Sequence, residues 1–158
     1  MRVKSVLDLF GQSVVVSDKK IILKDSDLLV SVVQVLKKHT SCLFTYLIDV
    51  VLFEDSEGEL FIVYLFLSVD KSERVEVICP VGLDHPSLSE MFKSANWLER
   101  EASDMFGVYF SGHKDLRRLL TDYGFKGHPL LKTFVEESSI KFDESTKSVD
   151  YSLVLGSK

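Results

Sequence analysis

The sequence predicts an α+β fold. We expect a two-layer sandwich with helices on one face of a mostly antiparallel sheet, followed by an irregular segment and an extended C-terminal arm. Two observations predict it. Hydrophobic patterns run in the order helix, strands, helix, three strands, helices, which suits helices packed on an antiparallel sheet. The 158 residues are 46% hydrophobic with 3 Pro and 8 Gly, which excludes a disordered chain and allows one hydrophobic core.

The amino-terminal part predicts two helices with a pair of short strands between them. Apolar residues at helical spacing lead to Gly11, and Ser13–Val16 and Lys20–Leu23 follow as strands. The apolar positions are Val3, Val6, Leu7 and Phe10 in the first helix and Leu28, Leu29, Val32, Val33 and Leu36 in the second. Asp25 or Ser26 can cap the second helix, and Lys37 and Lys38 suit its carboxyl end.

Three longer strands follow and form the middle of the predicted sheet. They cover Leu43–Phe53, Leu60–Val69 and Glu73–Cys79, with a polar loop at Glu54–Glu59. The second of them is apolar on both faces, so we expect it to lie centrally and to be covered by helices.

Two more helices are predicted before the pattern changes. Ser87 and Glu90 have the spacing of a capping box, in which each side chain bonds a backbone amide at the start of a helix. The helix that begins there would bury Leu88, Met91, Phe92 and Ala95, and the next one Leu98, Ala102, Met105 and Phe106 before it ends at Gly107.

Charge, cysteines and hydropathy exclude several functions. A net charge of −5 argues against a protein that binds nucleic acid mainly through phosphates. Cys42 and Cys79 lack metal-ligand spacing, so we expect buried small hydrophobes within strands. The longest apolar run, Leu60–Val69, is far shorter than the ~18–20 residues of a membrane span. The amino terminus resembles no signal or transit peptide, which predicts a bacterial chain or one made inside the organelle where it works.

Beyond Gly107 the periodicity ends. Residues Glu99–Phe134 carry a net charge of +1, whereas the rest of the chain carries −6. In and just before this stretch, both charge signs are interleaved with the rings of Trp97, Phe106, Tyr109, Phe110, Tyr123 and Phe125. Arginines and aromatic rings anchor desolvated protein contacts. The sequence therefore predicts an α+β domain at residues 1–107, an ordered but irregular partner-binding segment at 108–135 and an extended tail at 136–158.

The tail combines polar residues with two apolar alternations, Ile140/Phe142 and Val149/Tyr151/Leu153/Leu155. We weigh two interpretations equally. The tail is either an arm that orders against another chain or one more edge strand on the home sheet.

The residues that carry chemistry permit a weak catalytic hypothesis. Glu101 and Asp104 lie three apart, as in a general acid–base pair, and a free-standing small enzyme would use them with His113. The stronger expectation is that Arg100 pairs with Asp104 as an ordinary helical ion pair. His113 and His128 lack a third ligand at fixed spacing, and no glycine pattern suits a phosphate. The mixed charges around Arg117 and Arg118 give only weak support to nucleic-acid binding, and we expect both arginines to pair with carboxylates, in this chain or on a partner.

Residues Glu99–Leu130 read EREASDMFGVYFSGHKDLRRLLTDYGFKGHPL. This stretch resembles the signature of the family formed by the C subunit of NADH-quinone oxidoreductase, called NADH dehydrogenase subunit nine in mitochondria. The positions that match, and that the resemblance implies form a partner interface, are Glu99, Arg100, Glu101, Asp104, Gly107, Gly112, His113, Asp115, Arg117, Arg118, Asp122, Tyr123, Gly124, Phe125, Gly127, His128 and Pro129. Lys114 replaces the usual proline, and Leu131, Thr133 and Val135 replace the arginine, aspartate and proline of the usual RKDFP.

The resemblance implies a subunit of respiratory complex I, which passes electrons from NADH through FMN and iron–sulfur clusters to ubiquinone and couples this to proton pumping. It implies that this chain binds no cofactor or metal and has no catalytic residue. It would pack on the large quinone-site subunit and other subunits of the hydrophilic arm. The implied location is the matrix side of the mitochondrial inner membrane, or the cytoplasmic face of a bacterial plasma membrane. An adaptor domain outside respiration would have the same kind of partner-binding segment but different partners.

Overall fold

One five-stranded sheet organises the chain. The computed structural model describes residues 8–134 and two short strands further on. The sheet strands are β1 (Val14–Ser17), β2 (Lys20–Leu23), β3 (Tyr46–Glu54), β4 (Leu60–Ser68) and β5 (Glu73–Pro80), in the order β1-β2-β5-β4-β3. The pairing of β2 with β5 is parallel, and the other three pairings are antiparallel. The predicted α+β class with a mostly antiparallel sheet is therefore confirmed.

Two α-helices accompany the sheet in the described residues. They are α1 (Leu29–Lys38) and α2 (Ala95–Phe106), and short 3-10 turns lie at Asp8–Ser13 and Ser26–Leu28. Asp25 caps the second turn by accepting a hydrogen bond from the Asp27 amide at 3.0 Å. Of the predicted first helix, Val3, Val6 and Leu7 lie outside the described residues, and Phe10 belongs to the first 3-10 turn.

The hydrophobic core lies between the helices and one face of the sheet. Ile62, Tyr64 and Phe66 alternate along β4 and are almost fully buried. The apolar stripe of α1, including Val32 and Leu36, belongs to the same cluster. Both cysteines are buried, as predicted, but Cys42 lies in the turn after α1 rather than in a strand.

The opposite face of the sheet is open. The register aligns Val15, Ile22, Ile78, Val63 and Val51 in one apolar row across all five strands. Beside this row, the rings of Phe53 and Phe61 stack with their centroids 5.6 Å apart. The expectation that helices cover β4 is therefore confirmed for one face, and the other apolar face of this strand is half-buried. The prediction that β4 lies inside the sheet is confirmed, since it pairs with β5 on one side and β3 on the other, although β5 holds the middle position.

The predicted helix at Ser87 is also absent. Residues 87–94 form consecutive turns, in which the Met91 and Phe92 amides both bond the Leu88 carbonyl at 2.9 Å. The Ser87 hydroxyl donates to the Glu99 carboxylate and accepts the Ser89 amide at 3.1 Å, rather than the Glu90 amide that a capping box requires. The apolar positions were nevertheless right, because Leu88, Phe92 and Ala95 are buried.

Four short strands complete the described structure. β6 (His85–Pro86) pairs in parallel with β7 (Phe110–Ser111), and β8 (Lys141–Asp143) pairs with β9 (Ser148–Asp150). The register places Phe142 opposite Val149, while Ile140, Tyr151, Leu153 and Leu155 lie outside the described residues. Within the part that is described, no helix has the length and apolar character needed to cross a membrane.

Candidate functional site

The irregular residues 108–134, which we call the strap, are attached to the carboxyl end of α2 through one carboxylate. Asp104 Oδ2 accepts the backbone amides of Leu119, Leu120 and Thr121 at 2.8–3.0 Å. Its Oδ1 accepts the Arg118 guanidinium at 2.9 Å and the Thr121 hydroxyl at 2.5 Å. Asp104 therefore replaces the repeating backbone bonds that an irregular segment lacks.

The Asp104 side chain is stabilised in its ionised, carboxylate form. Burial opposes its ionisation, but the hydrogen bonds from Thr121, Leu120 and Leu119 outweigh that effect and lower the pKa of the carboxyl well below its usual range. A carboxylate stabilised in this way is a poor proton shuttle. Glu101, its partner in the acid–base hypothesis, is exposed, so the two do not form a shared buried site.

A second attachment joins His128 to the end of α2. His128 Nδ1 lies 3.0 Å from the Asp104 carbonyl oxygen, and the Leu130 amide bonds the Met105 carbonyl at 3.1 Å. The imidazole also lies against Gly107, where a Cβ atom would come within 2.6 Å of it. Gly107 ends α2 in the left-handed conformation at φ 75°, so this position favours glycine for two independent reasons.

The distal end of the strap is tied to the β3–β4 hairpin. The Lys132 ammonium bonds the carbonyls of Glu54 and Asp55 at 3.1 and 2.8 Å, and the Lys132 amide bonds the Glu54 carboxylate at 3.2 Å. Phe134 stacks on Phe125 with ring centroids 5.7 Å apart. The departures from the family pattern fall at Leu131, Thr133 and Val135, whereas Lys132 and Phe134, which make these contacts, keep the residues of that pattern.

Arg118 joins the end of α2 to residues 121–127 of the strap. Besides Asp104, its guanidinium bonds the Thr121 hydroxyl at 2.8 Å and the Gly127 carbonyl at 3.2 Å. It also lies 5.7 Å from the centre of the Phe125 ring. A planar group with several fixed donors suits this arrangement better than a lysine would.

The predicted ion pair between Arg100 and Asp104 is wrong. Arg100 instead donates to the carbonyls of Arg117 and Arg118 at 3.1 and 3.3 Å and lies over the Trp97 ring. The irregular strap leaves these carbonyls without helical partners, and Arg100 satisfies them. Arg117 pairs with Asp115 at 2.7 Å, so both strap arginines meet carboxylates, as predicted.

The remaining matched residues shape the strap itself. His113 lies 3.2 Å from the Asn96 carbonyl through Nε2, and its Nδ1 accepts the Asp115 amide at 3.1 Å, so both ring nitrogens are engaged locally. The Asp122 carbonyl accepts the Phe125 amide and closes a turn. Gly112, Gly124 and Gly127 are exposed, and Pro129 is half-buried.

The outer surface of the strap and of α2 presents large apolar side chains. Tyr123 is 90% exposed and Leu120 is 64% exposed. Trp97, Tyr109 and Leu130 are exposed in the same region. Lys114, Asp122 and Lys126 are exposed in the strap as well, so this outer surface combines rings with charges of both signs. Such a surface suits a protein contact.

Glu99 behaves differently from the other matched residues. It is 0% exposed, and its carboxylate accepts the Leu88 amide at 2.7 Å and the Ser87 hydroxyl at 2.6 Å. Burial raises the pKa of Glu99 to about 7, against the lowering effect of these two bonds. The capping-box motif predicted that Ser87 would pair with Glu90. Nothing in the sequence around Glu99 indicated the contact between Glu99 and Ser87.

Metal-ligating side chains do not cluster in the described part of the chain. No group of three or more His, Cys, Asp or Glu side chains there is arranged to hold a metal ion. Two surface grooves are present, one beside Gln34 and His39 and one between Tyr46 and Phe92. Neither is lined by the residues of the acid–base hypothesis.

Fold and site together define a class: an α+β domain whose most distinctive residues fix an irregular strap to one helix end. A sequence model of the family described as respiratory-chain NADH dehydrogenase, 30 Kd subunit, matches residues 22–139. The chain belongs to this family, and the resemblance seen in the sequence is confirmed.

Relatives come from bacteria and from a mitochondrial source. The chain is 43% identical over 129 residues to the C subunit of the NADH-quinone oxidoreductase of Dinoroseobacter shibae, covering 78% of this chain and 60% of the relative. It is 46% identical over 125 residues to the corresponding protein of Rhodobacter capsulatus, covering 75% and 63%. It is 41% identical over 131 residues to NADH-ubiquinone oxidoreductase subunit 9 of Reclinomonas americana, covering 77% and 62%. The chain thus spans about three fifths of the length of these relatives.

The fold is also similar to that of a solved structure. It is a trypsin-resistant fragment (1-134) of Nqo5 in a P63 crystal form, with a TM-score of 0.57 and 24% sequence identity. The match covers 73% of this chain and all of that fragment.

Proposed function

We propose that this chain is a structural subunit in the hydrophilic arm of respiratory complex I, the proton-translocating NADH:quinone oxidoreductase. Membership of the 30 Kd subunit family over residues 22–139 is the observation that carries the proposal. The names of the relatives supply the reaction, which is quinone reduction by NADH. In this role the chain contributes to an enzyme without catalytic residues of its own, and FMN and iron–sulfur clusters belong to other subunits.

The strap is the proposed contact with the large quinone-site subunit. The inner side of the strap forms hydrogen bonds to Asp104 and Met105. Tyr123 and Leu120 point outward, with most of their surface exposed. Exposed aromatic rings beside cations are the side chains that anchor protein interfaces. In the proposed division of the chain, residues 108–135 make this contact and residues 136–158 extend it.

The open sheet face supports the same role. Val15, Ile22 and Val51 in its apolar row are each more than two fifths exposed. Monomers rarely leave large contiguous apolar patches in water, and such patches mark interaction sites. A subunit buried among neighbours accounts for two separate uncovered surfaces on one small domain.

The proposed work of the subunit is mechanical. Electron transfer and quinone binding tolerate little displacement of the reacting groups. A strap fixed at Asp104, His128 and Lys132 offers its neighbour a surface with little freedom to move. The proposed location is peripheral, on the matrix side of the mitochondrial inner membrane or the cytoplasmic face of a bacterial plasma membrane.

Copurification tests this proposal. We would tag the full chain in its own cells, isolate it from gently solubilised membranes and inventory the bound proteins by mass spectrometry. We expect the hydrophilic-arm subunits, with the large quinone-site subunit most abundant. Recovery of the chain without them would overturn the proposal.

A pair of matched variants tests the strap surface. Leu120→Asp with Tyr123→Asp places charges on the proposed contact and should reduce recovery of the quinone-site subunit at least tenfold. Leu83→Asp is the control, because Leu83 is 97% exposed in the loop before β6 and lies outside the strap. Equal loss in both variants, or in neither, would contradict the assignment of the strap as the contact.

A further inference from the structure

A buried carboxyl group in this domain is connected to the surface by two serine hydroxyls. Glu99 Oε2 lies 2.6 Å from Ser87 Oγ, and Ser87 Oγ lies 2.7 Å from Ser89 Oγ. Glu99 is fully buried, whereas Ser87 and Ser89 are half-buried. The three groups form an unbroken hydrogen-bonded row from the core toward solvent.

No cation neutralises Glu99 within the described residues. Arg100, next to it on α2, bonds the carbonyls of Arg117 and Arg118, and Lys37 of α1 bonds the Met91 carbonyl. From the sheet, Tyr64 faces this carboxyl, and the charge of Glu99 helps to raise the pKa of Tyr64 beyond the larger effect of burial. From β6, His85 Nε2 lies 3.0 Å from the Tyr64 hydroxyl, and its Nδ1 has no hydrogen-bond partner among the described residues.

We propose that Glu99 is a buried proton-binding site that exchanges its proton with solvent through the hydroxyls of Ser87 and Ser89. The inference is independent of the proposed function, since it concerns this chain alone. It uses the two possible directions of each serine hydroxyl.

The transfer balances at every step. In the protonated state, Glu99 Oε2–H donates to Ser87 Oγ and the Ser87 hydroxyl donates to Ser89 Oγ. On release, the Glu99 proton passes to Ser87, the Ser87 proton passes to Ser89, and the Ser89 proton passes to water. Each serine keeps one proton, Glu99 becomes a carboxylate, and both hydroxyls now donate toward it. The 2.6 and 2.7 Å separations suit hydrogen bonds in either direction.

The geometry also sets where the charge change is felt. The Leu88 amide donates to Glu99 Oε1 at 2.7 Å, and the Ser87 amide donates to the Ser111 carbonyl at 2.9 Å. A change in the charge of Glu99 therefore alters the hydrogen bonds of the turn at 87–89. Through the pairing of β6 with β7, it also acts on the first residues of the strap. The pKa of about 7 that burial gives Glu99 is consistent with loading and release at ordinary pH.

Amide NMR of the isolated full chain tests the site. We expect the Leu88 amide shift to show one inflection between about pH 6 and 8, to lose it in Glu99→Gln and to keep it in Glu101→Gln. Glu101 is the matched control, because it is an exposed glutamate on the same helix. A flat Leu88 profile in the wild type, or an inflection that survives in Glu99→Gln, would overturn the proposal.

The serine path has its own test, which also serves if Glu99→Gln fails to fold. Ser87→Ala removes a donor to the carboxylate, so the inflection should move to higher pH. Ser89→Ala should keep the two end states while broadening the Leu88 signal near the midpoint, because the proton must then wait for local opening. Unchanged position in the first variant and unchanged line width in the second would refute the path.

Discussion

Asp104 and Arg118 meet at 2.9 Å although fourteen residues separate them in sequence, and the Asp104 side chain is completely enclosed. Their pairing converts a segment without regular structure into a fixed surface. Five donors converge on this one carboxylate, of which three are backbone amides. The attachment of residues 118–121 to α2 therefore depends largely on this one side chain.

Asp104→Asn tests this dependence. The amide keeps the shape of the side chain but removes its charge and replaces one acceptor oxygen by a donor, leaving strap amides and Arg118 short of partners. We expect a loss of about 2–4 kcal/mol in the free energy of unfolding. Urea titration measures the loss, and hydrogen exchange at Leu119–Thr121 should accelerate more than exchange in β4. A variant as stable as wild type would contradict the account.

The same carboxylate predicts behaviour in acid. A pKa lowered on folding gives stability that is complete above the ordinary aspartate value and is lost as pH falls through the folded value. The strap should therefore stay attached to α2 at neutral pH and loosen progressively below about pH 4. Exchange or proteolysis of the strap measured at decreasing pH should show this loss in wild type and not in Asp104→Asn.

Arg118 and Arg117 provide a matched pair of adjacent arginines. The Arg118 side chain is 26% exposed and bonds Asp104, whereas the Arg117 and Asp115 side chains are 68% and 40% exposed. Arg118→Ala leaves an enclosed carboxylate without its cation and should lower the free energy of unfolding by about 2 kcal/mol. Arg117→Ala breaks a solvated pair and should leave the melting temperature unchanged. Equal effects would show that burial does not decide the contribution.

Gly107→Ala tests the close approach of His128. The new Cβ would require a left-handed conformation and would also meet the imidazole, so the loss should exceed the ~1–2 kcal/mol of the backbone conformation alone. Gly112→Ala is the control, because Gly112 has φ 87° with no atom within 4 Å of the added carbon. In a double-mutant cycle, His128→Ala should make Gly107→Ala less destabilising. Additive effects would mean that the ring moves aside freely.

Much of the fold could be predicted because it depends on local patterns. The apolar stripe of α1 identified the residues that this helix buries, and Gly107 marked the end of α2. The predicted helix at Ser87 failed because a side chain twelve residues away, Glu99, bonds the capping serine. A local motif cannot reveal a competitor that only the tertiary fold brings near.

The candidate site was predictable as a list of residues but not as an arrangement. Family resemblance selected Asp104, Arg118 and His128, and general chemistry predicted a carboxylate for each strap arginine. Sequence spacing then favoured the wrong partner for Asp104, Arg100, because spacing indicates only pairs that are neighbours on one helix. The contact between Lys132 and Glu54 spans 78 residues and carries no motif, so nothing in the sequence indicated it.

The buried groups Glu99 and His85 predict opposite dependences of stability on pH. Burial raises the pKa of Glu99 from 4.5 to about 7, so its protonated form favours the folded state and stability falls as pH rises across that interval. Burial lowers the pKa of His85 from 6.5 to about 4, so the unfolded chain takes up a proton first and stability falls as pH decreases across that interval. The two effects oppose each other where the intervals overlap, and wild type should show a nearly flat profile between about pH 5 and 6.5.

Replacing either Glu99 or His85 should reveal the pH dependence of stability that the other group causes. In His85→Gln, which keeps a polar partner for Tyr64, the free energy of unfolding should increase by about 2 kcal/mol as pH falls from about 7 to 5. In Glu99→Gln it should decrease over the same range by a similar amount, and the double variant should again be flat. Urea titrations at half-unit pH intervals measure all four profiles. Slopes of the same sign in the two single variants would contradict the opposition, because each variant leaves only one of the two buried groups to titrate.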